Sequence, residues 1–328
     1  MKSTAIKELS EGDNTFYHFD KDTGFWGIPS ISHNIRYPVA PDKVFEATHN
    51  SFGNRDDETI LDHSKKTLLV IGGSHTWGVA MEKEKRYTDL LKEDGKFNVI
   101  NMGHCSLGLD QILVAIKKKS KLFNPNIIVI EQYPWSIHRI LNTYVNGFCR
   151  PSYSINNKNE LKLNRVPKLA NIKFFRNLIG GYYDFKKEFL EYKAGLKIKN
   201  NYDPKTDPIF LLWKTRYYDY MYKLSEAIIK EVKAYCIKNN IKLLFMLGTV
   251  NQQLKYKADT SLIDYDLPRR RIIRILNDNN IEYIDTLKAM LREHKSNLPV
   301  VFDDGHINER GNFIFAKLLK NYLSKVNW

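Results

Sequence analysis

Short, continuous apolar runs recur along the chain, and most are followed by small or polar residues and then by a stretch with helical spacing. Thr67 to Ile71, Phe97 to Asn101, Asn126 to Glu131, Ile241 to Leu247 and Ile281 to Asp285 are of strand length and partly β-branched. That is the pattern of strands buried on both faces of a parallel sheet. Helical periods predict helices over Arg86 to Glu93, from Leu109 through Ile112, Leu113 and Ile116, over Leu211 to Asn239, over Pro268 to Asn277 and over Asn308 to Val326. The last should carry Phe313, Ala316, Leu319 and Leu323 on its apolar side. This alternation predicts an α/β fold, a doubly wound, mainly parallel five-stranded sheet flanked by helices.

Two regions break the rhythm. Residues 1–60 are rich in aromatics, Gly, Pro and Asn without helical period, which predicts an irregular arm with short strands lying across the main domain. Its end, Asn50 to Glu58, reads by itself as a polar turn. From about 141 to 208, Phe174, Phe175, Tyr182, Tyr183, Phe185, Phe189 and Tyr192 interleave with Lys and Arg. This predicts an insertion or cap within an α/β domain spanning 61–328, either packed on a small core of its own or meeting a membrane surface.

The candidate chemistry lies at the end of the first buried strand. Gly72 and Gly73 allow a sharp turn, and Ser74 follows at the carboxyl edge of the sheet, where open α/β sheets bind their ligands. A serine needs an imidazole to take its proton and a carboxylate to orient that imidazole. The loop before the last helix, Val301 to Gly311, holds His306 with Asp303 three residues earlier, and Asp304 is the rival for the orienting role. Cys105 is a second possible nucleophile. His75, His104, Asp303 and His306 are a conceivable metal set, though the serine chemistry already uses two of them and no metal is expected.

These stretches resemble the SGNH hydrolases (GDSL-type esterases and acyl hydrolases) across roughly residues 65–135 and 240–325. Ile71 to Gly78 is similar to the Gly-Asp-Ser-x-Thr-x-Gly nucleophile block, with Gly73 where Asp is usual and Ser74 at the nucleophile. Asn101 to Gly108 resembles the second block, which implies that Gly103 lends a backbone N–H to the oxyanion hole. Phe302 to Gly311 resembles the last block, matching Asp303 and His306 to its Asp and His, and Asn50 to Glu58 is similar to a segment often found ahead of the first block. The third block, Gly-x-Asn-Asp, is absent: Glu131, Gln132, Tyr133 and Pro134 stand there. Gln132, His75 or His104 would then have to replace the oxyanion asparagine.

The resemblance implies a flavodoxin-like three-layer sandwich and a serine esterase acting through an acyl-enzyme on O-acyl groups of a carbohydrate or lipid, with no cofactor. A glycan O-acyltransferase using the same residues, or a catalytically weak glycan-binding member, is the alternative.

Composition changes this picture little. The 328 residues are 43% hydrophobic and 27% charged, ordinary globular values. The formal charge of +14 rests mostly on scattered lysines, and no nucleic-acid-binding motif accompanies it. Cys105, Cys149 and Cys236 lack paired spacing, so reduced thiols and a cytoplasmic setting are expected. No run approaches the ~20 apolar residues of a membrane span, which leaves peripheral membrane contact open, as it leaves the oligomeric state.

Overall fold

The computed structural model describes residues 2–8, 15–38, 40–145, 147–193, 208–210, 215–256, 263–295 and 298–326. The first 48 residues form β1 (Lys2–Glu8), β2 (Tyr17–Asp20), β3 (Gly24–Gly27), β4 (Ser32–Tyr37) and β5 (Ala40–Thr48). β4 lies between β1, which is parallel to it, and β5, which is antiparallel, while β2 and β3 make a separate hairpin. The arm is thus more regular than expected. Its inward positions are aromatic, with Phe16, Phe25, Trp26, Tyr37 and Phe45 all buried.

The α/β core begins with β6 (Lys66–Ile71), followed by α1 (Ser74–Trp77) and α2 (Tyr87–Lys92). β7 (Phe97–Asn101), α3 (Leu109–Lys119) and β8 (Ile127–Gln132) come next. After the inserted elements the core resumes with α5 (Thr215–Lys238), β13 (Lys242–Leu247), α6 (Asn251–Lys255) and α7 (Leu267–Asp278), then β14 (Glu282–Asp285), α8 (Leu287–Lys295) and α9 (Glu309–Leu323). The five core strands run in the order β14-β13-β8-β6-β7, all parallel, so the expected sheet is present strand for strand. Its central strands are fully covered: Leu68 to Ile71 and Ile127 to Ile130 are all 0% exposed. No helix among the described residues is long and apolar enough to cross a membrane.

The inserted region holds two small ladders, β9 (Tyr144–Val145) with β10 (Phe148–Cys149) and β11 (Ser152–Ile155) with β12 (Leu161–Asn164), and then α4 (Lys173–Lys193). Cys149, Val166 and Ala170 form its own minor core beside Tyr144, Ile179 and Tyr183. The side chains of Phe185, Phe189 and Tyr192, and residues 194–207 and 211–214, lie outside the described residues.

Two expectations about helix faces need comment. Phe313 is exposed on α9 rather than buried beside Ala316, Leu319 and Leu323. Asn312 takes the buried place on that stripe, because its Oδ1 accepts the Tyr87 N–H at 2.9 Å and so ties α9 to the start of α2. The arginine run of α7 is neutralised locally: Arg269 meets Asp266 and Asp285, Arg270 meets Asp264, and Arg271 meets Asp219.

The arm is fastened to the core at Arg55, which is 2% exposed. Its guanidinium donates to the carbonyls of Glu46 (3.1 Å), Trp77 (3.2 Å), Gly78 and Met81 (2.7 Å) and lies 4.5 Å from the Trp77 ring centre. A buried cation is tolerated only when its donors are satisfied, and here backbone oxygens of β5 and of α1 and the residues after it do so. His49 adds a second tie, accepting the Trp77 indole N–H at 3.2 Å on Nε2, with Nδ1 3.1 Å from the Ile28 carbonyl. Burial lowers the His49 pKa to about 3, so it is neutral at physiological pH. Arg55→Met should strand these carbonyls and destabilise the fold by about 3 kcal/mol, read as a clear drop in thermal midpoint. An unchanged midpoint would mean that the clamp contributes nothing.

Candidate active site

The turn after β6 is held from below by Glu131, near the end of β8. Its buried carboxylate accepts from the Gly73 N–H and from the Thr76 hydroxyl, each at 2.9 Å on Oε2. Thr76 in turn lies 2.7 Å from the Tyr87 hydroxyl. A β-carbon at Gly72 would come within 2.3 Å of that same Oε2, so this approach requires glycine. Burial pushes the Glu131 carboxyl above its usual range, and the hydrogen bonds from Gly73 and Thr76 oppose the rise.

Above this support Ser74 opens α1 with its side chain at the carboxyl edge of the sheet. His306 Nε2 lies 2.8 Å from Ser74 Oγ, and His306 Nδ1 lies 2.7 Å from Asp304 Oδ2. The loop that brings them together closes on itself: Phe302 N–H donates to the His306 carbonyl at 2.7 Å, and Val301 bridges Ile307. Asp304 Oδ1 also accepts the His306 backbone N–H at 3.0 Å, so one carboxylate engages both the backbone and the ring of the residue two positions on. Burial works against ionisation of Asp304, but its hydrogen bonds and charge interaction with His306 hold the carboxyl below the usual carboxylate range.

The expectation that Asp303 orients the imidazole is therefore corrected. Its side chain is 94% exposed and among the described residues meets only Lys255 Nζ, at 3.4 Å. The physical reason is the i, i+2 turn at Asp304, which points that carboxylate forward to the backbone and ring of His306 and leaves its neighbour facing solvent.

Gly103 also departs from its expected role. Its N–H donates to Asn101 Oδ1 at 2.8 Å, and a β-carbon there would lie 2.4 Å from the Trp77 backbone nitrogen. Glycine at this position lets the loop pack against α1. Gln132 is not aimed at the serine either: its amide donates to the Tyr133 carbonyl (2.7 Å) and to Ser136 Oγ (3.0 Å). His104 is fully buried 3.9 Å from the Trp26 ring centre, with no hydrogen-bond partner for either ring nitrogen among the described residues. Burial holds it well below the ordinary histidine range.

His75 is the one of the proposed replacements that stays beside the site. Its ring stacks on Tyr133 at 3.7 Å and lies 4.8 Å from that of His306. Nδ1 accepts the Ile307 N–H at 3.3 Å, which puts the ring proton on Nε2. Burial, and then the charges of His306 and Arg139, keep it well below the usual range and hence neutral. Cys105 is no rival nucleophile, because burial raises its thiol to about 11 and so keeps it protonated near neutral pH. His75, His104, Asp303 and His306 do not gather as metal ligands, since Asp303 faces Lys255 and His104 packs under Trp26.

Three residues that the sequence pattern did not single out complete the site. Glu131 supports the turn. Tyr37, at the end of β4, donates its hydroxyl to Asp304 Oδ2 and lies 3.0 Å from His306 Nδ1. Arg139, on the 3₁₀ segment Trp135–Leu141 just beyond β8, donates Nη1 to the Leu107 carbonyl at 3.2 Å. The same Nη1 would be 3.3 Å from a β-carbon on Gly73. A short side chain before a strand-end serine leaves room for such a cation, and that is the signal a reader could have used. The Ser74 N–H makes no hydrogen bond among the described residues.

The fold and site thus define a class: a doubly wound α/β protein with a serine, a histidine and an aspartate in hydrogen-bonded series at the sheet's carboxyl edge. Several solved structures are similar to this chain. They include an acetyl xylan esterase at 15% identity and TM-score 0.44, covering 78% of this chain and 99% of that one. A GDSL-like lipase from Bacteroides thetaiotaomicron has 13% identity and TM-score 0.43, covering 81% and 91%. A catalytic mutant of an acetylxylan esterase from Geobacillus stearothermophilus has 13% identity and TM-score 0.44, covering 80% and 95%. No protein-family model and no curated protein matches the chain.

The two neighbouring carboxylates make a direct test. Asp304→Asn should slow phosphonylation of Ser74 by an activated fluorophosphonate by about 10³-fold or more, as expected when a triad acid is lost. Asp303→Asn should leave the rate unchanged. The reverse ranking would restore Asp303 as the orienting acid.

Proposed function

We propose that the protein is a serine esterase or acyl hydrolase that acts through an acyl-enzyme on O-acyl groups of a carbohydrate or lipid. The observation that carries this reading is the series Ser74 Oγ, His306 Nε2, His306 Nδ1 and Asp304 Oδ2, closed by contacts of 2.8 and 2.7 Å. The substrate class follows from the resemblance of the Ser74 and His306 blocks to the SGNH pattern.

In this reading His306 takes the Ser74 proton as Oγ attacks the ester carbonyl, and then returns it to the departing alcohol. The carbonyl–alkoxy bond breaks and the acyl group stays on Ser74. Water, deprotonated by the same imidazole, releases the acid. Ionised Asp304 holds the imidazole in the tautomer whose Nε2 is a base, and stabilises the imidazolium while it carries the proton.

The oxyanion needs donors beyond the Ser74 N–H. We assign the cationic one to Arg139, on the side of the turn that Gly73 leaves open, with the neutral His75 Nε2–H as its neighbour. Glu131 stays below the turn, where it fixes the Gly73 peptide and with it the direction of the following N–H.

Intact-mass analysis after treatment with a fluorophosphonate tests the core of the proposal. One adduct on the unmodified protein, formed with loss of fluoride and absent from folded Ser74→Ala and His306→Ala variants, is the expected result. No adduct on folded unmodified protein would overturn it. Arg139→Gln should lower turnover of a simple acetyl ester by about 10²- to 10³-fold, the effect of removing one oxyanion donor. Unchanged turnover would remove Arg139 from that role.

A further inference from the structure

The residue in closest touch with the acid–base pair from outside the α/β core comes from the arm. Tyr37 ends β4, is 4% exposed, and lies 267 positions before Asp304 in the chain. Its ring packs edge-on against Phe302, 5.8 Å between centres, and against His306, 6.2 Å at 85°. Its hydroxyl donates to Asp304 Oδ2, the same oxygen that faces His306 Nδ1, and lies 3.0 Å from that nitrogen. We propose, resting on the esterase reading above, that Tyr37 is a positioning residue of the site: the arm's phenol fixes Asp304 as the acid that orients His306.

The geometry of the two carboxylates supports this assignment. Asp303 and Asp304 are adjacent on one loop and equally acidic by type, yet only Asp304 is gripped at both oxygens. Oδ1 is held by the His306 N–H, whereas Oδ2 is shared between the His306 ring and Tyr37. Two donors on Oδ2 spread its charge and leave it one rotamer. Without the phenol, Oδ2 would face the imidazole alone.

The direction of the resulting effect follows from the groups around His306. Asp304 and Tyr37 lie on the Nδ1 side, and the neutral His75 ring lies 4.8 Å away. Glu131 and Arg139 stand beyond the Ser74 turn, and Asp303 is paired with Lys255 at the surface. Removing the Tyr37 hydroxyl concentrates the charge on Asp304 Oδ2 and takes a polar atom from beside His306 Nδ1. That favours the protonated imidazolium and takes base away near neutral pH.

The test uses Tyr37→Phe, which keeps the ring and its packing on Phe302, with a thermal melt to confirm folding. Fluorophosphonate labelling of Ser74 at neutral pH should slow about tenfold, the worth of one hydrogen bond to a charged acceptor. The pH profile of labelling should move to higher pH relative to the unmodified protein. In an Asp304→Asn background the same change should add nothing to the loss of labelling, because Tyr37 acts through that carboxylate.

Folded Tyr37→Phe with an unchanged labelling rate and an unchanged pH profile would overturn the proposal, as would full additivity with Asp304→Asn. If the unmodified protein is not labelled at all, the esterase reading fails by itself. The Tyr37 proposal, which rests on that reading, then falls with it.

Discussion

The arrangement depends on a buried carboxylate beneath the turn after β6. Glu131 accepts the Gly73 N–H and the Thr76 hydroxyl at 2.9 Å each, and so fastens the turn after β6 to the neighbouring central strand. A carboxylate in the low-dielectric interior is costly unless its oxygens are bonded. The turn must therefore adopt the one path that brings a backbone N–H and a hydroxyl to it. That path throws Ser74 outward at the sheet's edge. It also requires glycine at 72, where any side chain would meet the carboxylate.

The arm is joined to this turn from the opposite side. Arg55 caps the carbonyls of Trp77 and Gly78 at the end of α1, and His49 accepts the Trp77 indole proton. Tyr37, from the same arm, reaches the loop that carries Asp304 and His306. The Ser74 turn is thus held by a strand beneath it and by the arm beside it, and of these two only the arm reaches the loop that carries Asp304 and His306. Arg55 is a cation satisfied by backbone carbonyls, with no carboxylate bonded to it among the described residues, so its grip depends on the shape of the turn and would be lost if the turn opened.

Much of this was legible along the chain. The five continuous apolar runs could be satisfied only by a sheet covered on both faces, and every one of them became a core strand in parallel pairing. The serine at a strand end and the histidine before the last helix were visible for the same reason, since sheet topology brings all carboxyl ends to one edge. The choice between Asp303 and Asp304 was not visible. Adjacent residues differ in direction by the local turn, and only the Asx geometry at Asp304 shows which carboxylate faces the ring. Gly103 and Gln132 misled for a related reason: each was matched by position, and each spends its hydrogen-bonding group on a near neighbour, Asn101 in one case and Tyr133 with Ser136 in the other.

The sequence by itself determined the layered α/β architecture, the strand order's starting material and the pair Ser74 and His306, because periodicity and strand-end placement are local properties carried by residue type. Tertiary structure alone decided that Asp304 faces the imidazole, that Glu131 supports the turn, that Arg139 stands beside Gly73 and that Tyr37 arrives from the far end of the chain. Each of these depends on the direction of a side chain or on a contact between segments 58 to 267 positions apart. Packing sets such contacts, and no spacing rule along the chain encodes them.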